Sequence, residues 1–224
     1  MSNRYIVHSR ISEAKFREIL RLFCADLQPT QIVTLSRISK TAINRLVDKI
    51  RKRIAVLAEK ESCFSQGEIE IDESYFGPKR IRGKRGRGAF KKIRVFGMKK
   101  RGDKVYTQIV KNCSAADLLP IIKCNASEDS IIYSDEWKAY DGLVEAGYNR
   151  HYRVKHSDSV FSNGRVHING IESFWSVAKT RLAKCRGILY DKFFLHLKET
   201  EFRFNHRSEN LYALLLKEFR KNPL

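Results

Sequence analysis

Near residue 65 the apolar periodicity of this chain changes, and the change limits what it can fold into. From about Ser12 to Glu61 apolar residues recur at helical spacing. Phe16, Ile19, Leu20 and Phe23 form one run, and Ile43, Leu46, Val47, Ile50, Ile54 and Leu57 form a longer one. From Gly67 the pattern alternates, Glu68-Ile69-Glu70-Ile71-Asp72-Glu73, as in a strand with one buried face. A small all-α module over residues 1–62 is therefore expected ahead of a larger α/β domain over 63–224. At 42% hydrophobic and 11% aromatic the chain has enough apolar surface for both.

The helical part carries its own punctuation. Ser12 opens the first helix, Pro29 suits the first turn of a short second one, and Ser39 can cap a third after a break at Ser36-Arg37. Beside the apolar stripe of the third helix lie Lys40, Asn44, Arg45, Lys49, Arg51, Lys52 and Arg53. The order is that of a helix-turn-helix, whose last helix reads the major groove of DNA. An ordinary basic helix in a bundle has the same pattern.

Charge points to the same partner. Lys and Arg number 44 against 25 acids, a net +19, and thirteen of those cations fall between Lys79 and Lys104 beside the single acid Asp103. The stretch G-P-K-R-I-R-G-K-R-G-R-G combines glycines with mutually repelling cations. A loop over residues 79–92 is expected there, with Arg82, Lys84, Arg85 and Arg87 free to displace counterions from phosphates. No apolar run is long enough to span a bilayer and no signal core follows the first residues, so a cytoplasmic, nucleoid-associated protein is expected. Five dispersed cysteines without a C-x-x-C pair suggest neither a disulfide framework nor a zinc ribbon, and read as reduced thiols mostly in the core. No phosphate-binding loop appears, so no nucleotide cofactor is expected.

After the first strand, Ile93 to Met98 and Val105 to Val110 read as two more in an antiparallel meander. A helix from Ala115 to Lys123 capped by Ser114 follows, then a strand from Ser130 to Asp135 and a helix near Trp137 to Ala146. A strand from His151 to Val154 and helices over 169–183, 190–205 and 210–220 finish the chain. This is the element order of an RNase H-like mixed sheet with flanking helices.

Two of those strands end in acids. Asp72 closes the first and Asp135, 63 residues on, closes the fourth; if the strands are neighbours, the carboxylates meet. Glu172 is the third candidate, and Lys179, seven residues later, projects from the same helix face. Oxygen ligands of this kind suit Mg²⁺ or Mn²⁺, and two such ions about 3.5–4 Å apart can serve both the attacking and the leaving oxygen at a phosphodiester. Glu70, on the same strand face as Asp72, and the adjoining Glu73 and Glu136 are competing ligands. Phe174 and Trp175 read as core or as platforms for an unpaired base. His151, His156 and His167 read as hydrogen-bonding or phosphate-contacting residues.

The strings I-D-E-S-Y-F-G, Y-S-D-E-W-K-A-Y, H-I-N-G-I-E-S-F-W-S-V-A-K and E-F-R-F-N-H-R occur in that order. Together they resemble the transposase of the insertion sequence 1595 family, with its ISXO-like domain, and particularly its 1016-like subgroup. The resemblance covers roughly residues 65–207. It implies that Asp72, Asp135 and Glu172 are the metal ligands of a DDE transposase, catalytic in end cleavage and in strand transfer to target DNA. Many members of the family place the third position at the Asn of the H-x-N string, here Asn169; Glu172, seven residues before Lys179, is preferred here, with Asn169 and His167 supporting, and Lys179 would contact DNA. DNA, as transposon ends and target, would be the partner, and a homodimer or higher assembly would form on it. The cysteine-paired zinc ribbon that many relatives carry ahead of the helices is absent from this sequence, so zinc dependence is not carried over. From other classes, a helix-turn-helix regulator with an inactive sheet domain and a structure-specific nuclease share these features.

Overall fold

Five strands form one mixed sheet in the order β3-β2-β1-β4-β5, with β1 Glu68–Phe76, β2 Ile93–Lys100, β3 Val105–Val110, β4 Ile131–Asp135 and β5 His151–Val154. The computed structural model describes residues 3–61, 66–77, 92–135, 138–154, 167–185 and 188–224. β1, β2 and β3 are antiparallel neighbours, whereas β4 runs parallel to β1 and β5 parallel to β4. This is the RNase H-like arrangement that the element order implied.

Alternation along the strands separates the two faces of the sheet. Ile69, Ile71, Phe96, Met98 and Ile132 point to one side, where they pack with Leu118 and Ile122 of helix α4 (Ala115–Asn125). Helix α5 (Asn169–Lys184) packs on β1 and β2 through Ile171, Phe174, Trp175 and Ala178. Glu70 and Asp72, alternating with the isoleucines, belong to its face. After β4 the expected α-helix is a 3-10 turn, Lys138–Leu143. Tyr140 and Leu143, both fully buried, are three apart, which matches a three-residue turn.

A second compact unit draws on both ends of the sequence, residues up to Glu59 and residues beyond Gly187, while Lys60–Arg186 form the sheet unit. Its helices are α1 (Glu13–Cys24), α2 (Pro29–Ser36), α3 (Lys40–Lys60), α6 (Tyr190–Asn205) and α7 (Leu211–Lys221). Phe16, Ile19, Leu20, Phe23, Ile43, Val47 and Ile50 share one core with Phe202, Leu215 and Phe219. The expectation that residues 188–224 would accompany the sheet differs from this grouping, because the apolar stripes of α6 and α7 match those of α1 and α3. A buried polar cluster also ties α6 to its neighbours. Glu199, 1% exposed, accepts from Arg51 Nε at 2.7 Å and Arg203 Nε at 2.9 Å, and Arg203 donates to the Phe23 and Cys24 carbonyls at the end of α1.

Two local expectations shift. Cys24 and Cys113 are half-buried and pack against the two cores, where burial pushes the Cys24 thiol up to about 12, while Cys185 is half-buried and Cys124 exposed, so among the described residues the thiols lie at core edges or outside the cores. Asp72 lies in the middle of β1 instead of at its end, because pairing with β2 continues as far as Phe76 opposite Ile93. No helix among the described residues is long and apolar enough to cross a membrane.

Candidate active site

Parallel pairing of β1 and β4 runs from Glu68 opposite Ile131 to Glu70 opposite Tyr133. Continuing that register by two residues sets Asp72 across from Asp135, at the point where β4 ends. Glu172 comes from α5, which crosses the same face of the sheet and exposes it in the first turn of the helix. The Asp72 carboxyl is pushed up to about 6, first by desolvation, with the charges of Asp135 and Glu172 adding to the rise and the Glu73 amide and Trp175 opposing it. The charges of two acids distant in sequence therefore reach Asp72.

Trp175 is the floor of this site. Its ring lies against Gly97, the residue paired with Asp72 on β2: a Cβ there would stand 2.5 Å from Cζ2 of the indole. The buried indole N–H has no hydrogen bond of normal geometry, and its effect on Asp72 is to favour the ionised carboxylate. Phe76 and Phe174 meet the ring edge-on and tilted, so the indole is core and shell of the carboxylates at once. A glycine inside the apolar run V-F-G-M is the sequence signal of such a close approach.

The competing acids have other engagements. Glu70 is 1% exposed; it accepts from Arg101 Nε at 3.0 Å and from the Ile171 amide at 2.8 Å. Glu73 points to the opposite face, where the buried Tyr140 hydroxyl donates to it, and burial with the Glu73 charge raises the Tyr140 pKa well above its usual value. Glu136, Trp137 and His156 lie outside the described residues. His151 bonds Ser134 Oγ at 2.8 Å through Nε2. His167 places Nδ1 3.5 Å from Glu70, so it adjoins Glu70 instead of the three acids, and Asn169 is exposed at the first position of α5.

Lys179 is exposed on α5, two turns beyond Glu172. In the helical unit Lys40, Asn44 and Arg45 are exposed and Lys49 is half-buried on α3. That helix follows α2 after a three-residue turn in which Arg37 is left-handed (φ 56°) and Ser39 Oγ accepts from the Ala42 amide at 3.4 Å. Arg82, Lys84, Arg85 and Arg87 lie outside the described residues. Of the cations that follow them, several serve the sheet: Arg94 donates to the Lys111 carbonyl, Lys104 pairs with Glu61, and Arg101 pairs with Glu68 and Glu70. Arg101 in particular looks in the sequence like one more member of a basic run.

All the candidate ligands are carboxylate oxygens, the donor chemistry of Mg²⁺ or Mn²⁺, ions that keep several waters and complete their shells with phosphates. Among the described residues no three acids, histidines or cysteines stand close enough to ring one ion. The carboxylates have the donor chemistry for such an ion without forming a cage around one.

Residues 65–205 match the ISXO2-like transposase domain. An uncharacterized transposase-like protein of Haemophilus influenzae is 41% identical over 121 residues, 54% of this chain and 97% of its own length. An uncharacterized protein in the transposable element ISH50 of Halobacterium salinarum is 31% identical over 154 residues, 62% of this chain; about half of that protein, 52%, is spanned. Among solved structures, a Mos1 transposase paired-end complex with left transposon end aligns with 90% of this chain and 78% of its own at 14% identity and a TM-score of 0.31. As the matched region takes in more than half of the sequence, including both strands and the helix that carry Asp72, Asp135 and Glu172, the chain belongs to the family of the ISXO2-like transposase domain.

Proposed function

We propose that this protein is a DNA transposase of an insertion sequence, working by a DDE mechanism in which Asp72, Asp135 and Glu172 are the catalytic metal ligands. The parallel β1–β4 register that leads Asp72 towards Asp135, with the charges of Asp135 and Glu172 reaching Asp72 in a chain of a transposase family, is the observation that carries the reading. Mg²⁺ or Mn²⁺, two ions to a site, would supply positive charge against the phosphate as negative charge builds on it.

The chain's own residues hold and orient. Burial keeps water from screening Asp72, which strengthens its hold on a cation. Lys179 would steady the phosphate backbone next to Glu172. Lys40, Asn44, Arg45 and Lys49 on α3, as the reading helix of a helix-turn-helix, would recognise the transposon ends, and Arg82, Lys84, Arg85 and Arg87 would grip phosphates. In the first step water attacks phosphorus and the P–O3′ bond breaks, freeing a 3′-hydroxyl. In the second that hydroxyl attacks a target phosphate, breaks its P–O3′ bond and forms the joining phosphodiester. Joining two ends calls for at least a dimer on DNA, in the cytoplasm with the nucleoid as substrate.

The test incubates the purified protein with Mn²⁺ and a supercoiled plasmid carrying its gene in native flanking DNA, with breaks mapped by primer extension. Metal-dependent 3′-hydroxyl ends at matching inverted sequences on both sides of the gene, lost in Asp135→Asn, are expected. Breaks confined to branched sites would indicate a nuclease; tight binding without breaks would indicate a regulator.

A further inference from the structure

Helix α5 begins without a cap of its own. Its N-cap is Ile168, whose side chain accepts nothing, so the first amides of the helix need partners from elsewhere. One comes from Glu70, 101 residues away in sequence, whose Oε2 accepts the Ile171 N–H at 2.8 Å. A carboxylate at a helix N-terminus also gains from the helix dipole. The approach is close enough to require glycine at the second helical position: a Cβ on Gly170 would lie 2.7 Å from Glu70 Oε2 and 3.0 Å from Lys99 Cδ.

Glu70 is held in its turn. Arg101 donates to it through Nε at 3.0 Å, pairs with Glu68, and donates to the His167 carbonyl at 2.6 Å just before α5. The guanidinium lies 3.8 Å from the centre of the Tyr133 ring on β4. One buried cluster therefore touches β1 two residues before Asp72, β4 two residues before Asp135, and α5 one residue before Glu172. For stability alone an apolar residue and a local serine cap would serve, since buried ion pairs give little net stability over apolar packing.

We propose that Glu70 is a positioning residue: by accepting the Ile171 amide hydrogen it fixes where α5 begins on the sheet, and so where Glu172 stands relative to Asp72 and Asp135. The inference rests on the metal-ligand reading of those three acids. It changes the part Glu70 plays, from rival ligand to the support of one.

The experiment uses the full chain with Mn²⁺ alone as probe, binding being followed by electron paramagnetic resonance and amide exchange at Ile171 by NMR. Glu70→Gln keeps the shape and weakens the acceptor. Gly170→Ala strains the same contact from the helix side while keeping the Glu70 carboxylate that Arg101 pairs with. Each variant is expected to exchange Ile171 faster and to bind Mn²⁺ about tenfold more weakly, the usual scale for residues that support a ligand. In a Glu172→Gln background Glu70→Gln should cause no further loss. Mn²⁺ affinity within twofold of the parent in both variants, or full additivity with Glu172→Gln, overturns the proposal while leaving the ligand reading standing. If Glu172→Gln itself leaves Mn²⁺ binding unchanged, the ligand reading fails; faster exchange in Glu70→Gln then reduces Glu70 to a helix cap.

Discussion

Gly97 and Trp175 occupy what is in effect a single side-chain space beside Asp72, the glycine leaving empty what the indole fills. Gly97→Ala must displace the ring or the strand. A loss of about 1–3 kcal/mol is expected, the cost of overpacking a tight core, measured by urea denaturation. End cleavage should fall as well, because the displaced indole no longer shields Asp72.

Stability should depend on pH through Asp72. Its carboxyl titrates near 6 in the folded protein against an ordinary value of 3.8. Between those values the folded chain keeps a proton that the unfolded chain has lost, so stability falls as pH rises through this window and the loss is complete above about 6. Without divalent cations, Asp72→Asn should melt higher than the parent at pH 8, and the difference should disappear by pH 4. Mn²⁺ binding by the parent should strengthen across the same interval, since the ion competes with that proton. Thermal melts and a Mn²⁺ titration at several pH values check both halves.

In the helical unit, Glu199→Ala leaves Arg51 and Arg203 without their shared carboxylate. Removing one side of a buried pair costs about 3–5 kcal/mol, and chemical denaturation should show a loss of that size. Lys52→Ala, which breaks the exposed pair with Asp48, should change stability by no more than about 0.5 kcal/mol.

On α3 the exposed positions predict a binding effect without a folding effect. Lys40→Ala and Arg45→Ala should each weaken binding to transposon-end DNA with melting temperature unchanged. If each cation meets a phosphate, the slope of log affinity against log salt should flatten by about one per substitution. Equal weakening on unrelated DNA would mark a phosphate contact; loss confined to the end sequence would mark a base contact.

The frame of the molecule was legible because its signals are local. Strict alternation announced β1, and the succession of elements announced an RNase H-like mixed sheet with α5 among its helices. Asp72, Asp135 and Glu172 stood out as polar ends or faces on apolar elements. What stayed hidden depends on partners far away in sequence. Lys198, Glu199, Thr200 and Glu201 are polar in sequence, yet all four are buried, Glu199 against Arg51 and Arg203, Lys198 against Glu59 and Glu201. Arg101 and Glu70 were likewise one cation among many and one acid among several until β1, β4 and α5 were brought together.

The two-ended make-up of the helical unit sets an order of maturation. On the ribosome α1, α2 and α3 emerge first, yet their core lacks Phe202, Leu215 and Phe219 until α6 and α7 follow. The contiguous sheet unit has all its strands in hand before then and can fold as it is made. The half that carries the carboxylates would thus be ready before the half that carries the basic face of α3 can close. A nascent chain stalled ahead of α6 would hold Asp72, Asp135 and Glu172 on a finished sheet while α3 still lacked its packing partners.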